Sequence, residues 1–357
     1  MIMLKNIHTL GELCLAGAKN YGARKALELC RGDRLLQTVS FRALAARSRQ
    51  LAGLFRSLGL KRGDRIMILA ENRPEWPMAA FGAALGGMVF LPAAPRPQAP
   101  AGYFRDLGEG AAVKALCVTG ETGELAAGLR APRIYLDSAV FPADGGHSIR
   151  VSLGGVSKRL PLAEEAPPEA CEAERAAVLW PGGTESSHRE LLSLAGGNQS
   201  WPRIFPRDRI FSLSSLAERG TLVLCVLAAV LGGASLSLSA GEERSGGIPG
   251  ELPQIEELPR ILELLRPSIL IGDTAFLEAL YRHKAAALAE GPLSRNIITR
   301  PLARYLGGQR LVKTLGGNVR FFGLSAGPEP GEKLEKILSG VHLPRGRILP
   351  PEKAPQS

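Results

Sequence analysis

Residues Arg65 to Pro92 read RIMILAENRPEWPMAAFGAALGGMVFLP. Arg65 to Ala70 is a short apolar run of strand length, and ENRPEW is a polar, Pro-containing loop. Trp76 to Leu85 is apolar but rich in small residues, which suits a helix packed closely on a sheet. MVFLP is a second apolar strand, closed by Pro92. Strand, helix and strand in this order are the building unit of a largely parallel α/β sheet.

The same alternation extends outward. Upstream, Ser40 is placed to cap a helix running to about Leu58, with Leu44, Leu51, Phe55 and Leu58 on one face. The N-terminal MIMLKNIHTLGELCLAGAKN reads as an amphipathic helix and not as a secretory leader. Downstream, VKALCVTG and PRIYLDS are strand-like, and Gly145 to Pro168 is loop or a short hairpin. RIFSLSSL, ASLSLS and PSILIGD read as strands, with helices around Ile255 to Leu265 and from Asp273 or Thr274 to about Leu288. The longest apolar run, Thr221 to Leu238, is long enough to span a membrane. Gly232 and Gly233 split it, so it reads as a buried helix followed by a strand.

Composition sets limits on function. The 357 residues are 45% apolar with formal net charge +10, a globular composition long enough for a large core. The arginines are scattered and often adjoin acids, as in KRGDR and PRDRIF, with no basic run interleaved with aromatics. That pattern predicts solvated arginines and no nucleic-acid partner. Five widely spaced cysteines without CxxC fit reduced thiols and a cytoplasmic location. The five histidines show no metal-ligand spacing, and no GxSxG elbow is present.

Chemistry is expected at AAVLWPGGTESSHRELL, Ala176 to Leu192. It begins as a strand feeding a Gly-rich phosphate loop, but no lysine follows the glycines. The simplest reading is a Gly-Gly turn between strand and helix, capped by Thr184, Ser186 or Ser187. The competing reading is a degenerate phosphate loop.

A resemblance covers most of the chain. SFRALAARSRQLAGLFRSLGLKRGDRIMILAENRPEWPMAAFGAALGGMVFLPAAP resembles the N-terminal region of acyl-adenylate-forming (AMP-binding) enzymes, most of all long-chain fatty acid–CoA ligases. The matching residues are Gly59, Gly63, Asp64, Asn72, Glu75, Trp76, Gly87 and Pro92. The resemblance implies an α/β fold of stacked, mostly parallel sheets with flanking helices. It implies ATP-dependent activation of a carboxylic acid to an acyl-adenylate and then to acyl-CoA, with ATP, Mg²⁺ and coenzyme A taking part. It also implies a division into residues 1–175, residues 176–345 and a frayed tail at 346–357, with no counterpart of the family's C-terminal catalytic domain.

Four departures from the family pattern follow. Where the family has TSGTTGxPKG, this chain keeps Gly182, Gly183 and Thr184, places Glu185 at the last glycine and lacks the PKG half; Ser187 opens the segment resembling T-H-x-N-L. Beside the acyl site, Leu216 and Ala217 match, but Glu218 replaces a histidine. Ser325, Ala326, Gly327 and Pro328 resemble an altered adenine-side loop. GRILPP, from Gly346, stands in place of GYGxTE, so the Mg²⁺-holding glutamate has no counterpart. Three expectations result: a ligase homologue defective by itself, a half-enzyme completed by a second chain, or a non-catalytic module binding an acyl chain or a protein. The expected location is cytoplasmic, with a membrane-peripheral one as the alternative, and no integral span.

Overall fold

The computed structural model describes residues 2–96, 98–140, 147–153, 156–162, 167–169, 171–197, 201–240, 258–272, 278–279, 281–282, 300–324, 335 and 345–347. The chain opens with helix α1 (Leu10–Tyr21), whose cap Thr9 accepts from the Glu12 amide. A hairpin of β1 (Lys25–Arg31) and β2 (Arg34–Ser40) follows. Ser40 then caps α2 (Phe41–Ser57) by accepting from the Ala43 amide, as its position predicts.

Next come β3 (Arg65–Leu69), α3 (Glu75–Leu85) and β4 (Val89–Ala93), the expected strand-helix-strand unit. After them lie α4 (Tyr103–Gly110), β5 (Val113–Val118), β6 (Arg133–Val140), β7 (Ser148–Leu153) and β8 (Val156–Pro161). The short strands β9 (Ala176–Leu179) and β10 (Glu185–Ser187) lead into α5 (His188–Gly196) and β11 (Arg209–Ser212). A continuous helical run, α6, consists of Arg219–Thr221, the π-helical Leu222–Ala228 and Ala229–Gly232. It ends at Gly233 in left-handed backbone and returns as β12 (Ser235–Ser239), so the long apolar run is a buried helix and a strand. The remaining described elements are α7 (Leu258–Leu265), β13 (Ile269–Gly272), α8 (Arg300–Thr314), β14 (Phe321–Leu324) and β15 (Arg345–Arg347).

These strands make two sheets. One has seven strands in the order β15-β14-β13-β11-β12-β1-β2, parallel except for the β1–β2 pair. The other has eight, β10-β9-β4-β3-β5-β6-β7-β8, with β9 through β6 parallel. The division at residue 175 does not follow the sheets. Strands β1 and β2 join the sheet built mainly from later residues, and β9 and β10 complete the earlier one. The expected tail also starts inside a paired strand, because Gly346 and Arg347 lie beside Gly323 and Leu324. The helix expected from Asp273 or Thr274 lies largely outside the described residues.

The strand alternation explains the layers. Ile66 and Ile68 of β3 face a central core shared with α1, α2, α3, α5 and α6, while Met67 and Leu69 face an outer core with Phe104 of α4. The other sheet does the same: Ile269 and Ile271 join the central core, and Leu270 joins an outer one with Ile261 and Leu262 of α7. Strands buried on both faces read as continuous apolar runs, which is why β3 and β4 were legible. The small residues of α3 also serve α2. A Cβ on Gly82 would stand 3.0 Å from the Ser48 carbonyl oxygen, so the two helices touch backbone to backbone. No helix among the described residues is long and apolar enough to cross a membrane.

Candidate functional site

Because β3, β4 and β9 are parallel, the turns after them open at the same end of the eight-stranded sheet. The turn after β9 holds the expected phosphate loop. Gly182 and Gly183 have φ of 106° and 88°, values that only glycine adopts freely, although open space surrounds both. The strand does not pass straight into a helix there. The Trp180 amide donates to the Thr184 carbonyl at 2.8 Å and the Gly183 amide to the Trp180 carbonyl at 3.0 Å, closing a tight hairpin. β10 then pairs antiparallel with β9, Glu185 opposite Leu179 and Ser186 opposite Val178.

That register assigns each side chain a face. Ser186 points inward, buried, and accepts from Trp180 Nε1 at 3.1 Å. Glu185 shares the outer face with Leu179 and pairs with Arg65 at 3.4 Å. Ser187 is the cap of α5, its hydroxyl accepting from the Glu190 amide. Thus Gly182, Gly183 and Thr184 share the turn, while Glu185 and Ser187 belong to the return strand and the helix cap. Arg189 pairs with exposed Glu174 at 2.7 Å, away from the turn. The cation that does reach the turn is Arg219, which sequence reasoning passed over. Its guanidinium lies 6.0 Å over the Trp180 ring and pairs with Glu190.

His188 follows the hairpin directly. Its Nδ1 accepts from the Leu10 amide at 3.2 Å, so in the neutral ring Nε2 carries the proton. Nε2 faces Cys171 Sγ at 3.5 Å. A nitrogen that already holds a proton cannot take one from the thiol, so this pair is a structural tie and not a nucleophile with its base. Burial lowers the His188 pKa to about 4, and burial raises that of Cys171.

The turn after β3 works differently. Asn72 donates from Nδ2 to the Ser214 carbonyl at 2.8 Å and accepts the Leu216 amide on Oδ1 at 2.9 Å. One amide side chain thereby fixes the segment at the carboxyl end of β11, which contains Leu216, Ala217 and Glu218. Leu216 and Ala217 are buried, and Glu218 occupies the cap position of α6. Glu75 makes a second tie between the sheets: it accepts from Gln37 of β2 at 3.3 Å and from Arg73 at 2.9 Å. Arg73 also binds Glu71 at 3.1 Å. Burial lowers the Arg73 pKa, but the charges of Glu75 and Glu71 outweigh it and raise the net value. Asn72 and Glu75 are therefore scaffold residues, a role that one-dimensional spacing does not reveal. Ser325, Ala326, Gly327 and Pro328 lie outside the described residues, immediately after β14.

Two amides of the β9 turn are occupied by its own carbonyls, Arg219 is paired with Glu190, and Arg189 with Glu174. Among the described residues there is no group of three or more His, Cys, Asp or Glu side chains that could hold a metal ion.

The chain's similarities agree with this architecture. A family model described as AMP-binding enzyme matches residues 16–339. Crotonobetaine/carnitine–CoA ligase of Salmonella paratyphi A is 35% identical over 77 residues, 21% of this chain and 14% of that protein. The protein of the same name from Salmonella typhimurium is 36% identical over 80 residues, 22% of this chain and 15% of that one. The matched stretch thus spans a small part of those relatives. Among solved structures, CmiS6 aligns with a TM-score of 0.66 at 17% identity, covering 93% of this chain and 68% of that one. VinN with 3-methylaspartate gives 0.63 at 15% identity, covering 95% and 76%. At such identities these two share the fold.

Proposed function

Because the chain belongs to the AMP-binding enzyme family, we propose that it is a carboxylate-activating ligase scaffold that does not form acyl-adenylate on its own. The reaction brings a carboxylate to the α-phosphate of ATP, releases pyrophosphate and passes the acyl group to the thiol of coenzyme A. Two anions must meet, so the site has to supply positive charge and donors aimed beforehand. The observation that carries the proposal is the closed hairpin Trp180–Thr184, whose Trp180 and Gly183 amides are bonded within the turn. Loss of one aimed donor lowers a rate by about 10²–10³. ATP–pyrophosphate exchange with a panel of carboxylic acids, long-chain fatty acids included, tests this. Exchange at background level is expected, and robust exchange with any acid overturns the proposal.

A second reading, retained acyl binding, is favoured by the Asn72 clamp on Ser214 and Leu216, which fixes through protein hydrogen bonds the segment proposed to border an acyl site. It predicts saturable binding of a labelled fatty acid that ATP and Mg²⁺ do not alter. Exchange activity restored by a co-expressed chain bearing YGxTE would favour the half-enzyme instead.

A further inference from the structure

We infer that the amino ends of the seven-stranded sheet form a second anion site, fitted to a compact polyphosphate. Arg24 and Lys25 stand where β1 begins, Arg207 to Arg209 lead into β11, and Arg266 precedes β13. They line a pocket of about 430 Å³, within the range typical of small-molecule sites. It opens at the opposite end of β11 from Leu216 to Glu218, and so is separate from the site considered above.

The charge of this pocket is unbalanced. Its wall carries five cations, Arg24, Lys25, Arg207, Arg209 and Arg266, and one carboxylate, Asp208. Asp208 is already satisfied, with Arg320 at 2.6 Å, the Ser268 hydroxyl at 2.8 Å and the Phe205 amide at 2.7 Å. Buried Glu28 takes up Lys25 at 2.9 Å and Arg209 at 3.0 Å. Arg207 and Arg266 are exposed and make no ion pair among the described residues; Arg207 lies 5.7 Å over the Phe205 ring. Gathered like charges repel one another, and an anion between them reverses the sign of that energy. Guanidinium groups match phosphate oxygens in pairs, and the volume exceeds what one phosphate fills.

The backbone adds an independent observation. Arg266 follows the last turn of α7 with φ of 45°, in the left-handed region where glycine is the usual occupant. The helix dipole favours a cation anywhere in that last turn, without requiring this conformation. Here the chain accepts it, and Arg266 lines the pocket.

Titration calorimetry of the full chain with tripolyphosphate, and separately with orthophosphate, tests the inference. Saturable one-to-one binding of tripolyphosphate is expected, at least about tenfold tighter than orthophosphate. The pair Arg207→Glu/Arg266→Glu, and the milder Arg207→Gln/Arg266→Gln, should weaken it about 10- to 100-fold, since each charge-assisted contact is worth roughly a factor of ten or more. The pair Lys114→Glu/Lys158→Glu makes the same charge change on exposed positions of the other sheet and should leave binding intact. Absent saturable binding, equal weakening by both charge-reversing pairs, or an unchanged Kd in the Arg207/Arg266 variants would overturn the inference.

Discussion

β3 and β9 flank β4 and run parallel to it, yet the turns at their carboxyl ends differ. The turn after β3 reaches outward: Asn72 bonds to Ser214 and Leu216 in the segment that follows β11, and Glu75, at the start of α3, accepts from Gln37 of β2. The turn after β9 closes on itself through Trp180, Gly183 and Thr184. The contacts that join the two sheets and the turn proposed to meet a phosphate are thus carried by different strands of one sheet.

Removing the outward-reaching turn should have the largest effect. Asn72→Ala leaves the buried Leu216 amide without its partner and removes one donor from the Ser214 carbonyl, which still accepts from the Ser212 hydroxyl at 3.0 Å. An unsatisfied buried group costs about 1–3 kcal/mol and a lost hydrogen bond about 1 kcal/mol, so roughly 2–4 kcal/mol of stability should be lost. Urea denaturation of the variant against wild type measures it. A loss below about 1 kcal/mol would mean that the two sheets are not held together through this residue.

The next effect belongs to the closed turn and is read by pH. Burial lowers His188 from 6.5 to about 4, so between those values the unfolded chain binds a proton that the folded chain does not. Its contribution to stability is complete above pH 6.5 and is lost as pH falls toward 4, to a total of about 3 kcal/mol. Protonation would also remove the acceptor that holds the Leu10 amide. Unfolding free energies at pH 7 and pH 4.5 should diverge in wild type and much less in His188→Gln. Identical pH dependence in the two proteins would show that the ring is not buried behind the hairpin.

The sequence revealed these regions unequally, for physical reasons. β3, α3 and β4 were legible because both faces of the strands and nearly the whole surface of the helix are buried. The β1–β2 hairpin was missed because β2 is an edge strand, with Leu35 and Leu36 exposed where alternation would place one of them inside. β10 has three residues, Glu185 to Ser187, too few and too polar for any period to show. The run from Thr221 to Leu238 was legible as a buried helix and a strand because Gly232 and Gly233 divide it, though nothing in an all-apolar run marks Leu222–Ala228 as π-helical. Spacing identified Asn72 and Glu75 as marked residues, but their partners lie 142 and 38 positions away in the chain. Only the paired sheets bring them together.

The smallest effect is the sharpest test of the closed turn. A carboxylate at the last position of a phosphate loop would repel a triphosphate, and Glu185 holds that position in the sequence. In the fold it lies opposite Leu179, on the outer face, paired with Arg65 while both side chains remain more than a third exposed. An exposed pair contributes about 0–1 kcal/mol. Glu185→Gln should therefore change stability by no more than that, and should leave the affinity for ATP, measured by equilibrium dialysis with labelled nucleotide, where it was. Its charge points away from the inner face, and removing it leaves the Trp180 and Gly183 amides bonded as before. A gain of tenfold or more in ATP affinity would place Glu185 at the phosphates. The turn after β9 would then be an open loop blocked by one charge, and restoring activity would require a substitution and not a rebuilt hairpin.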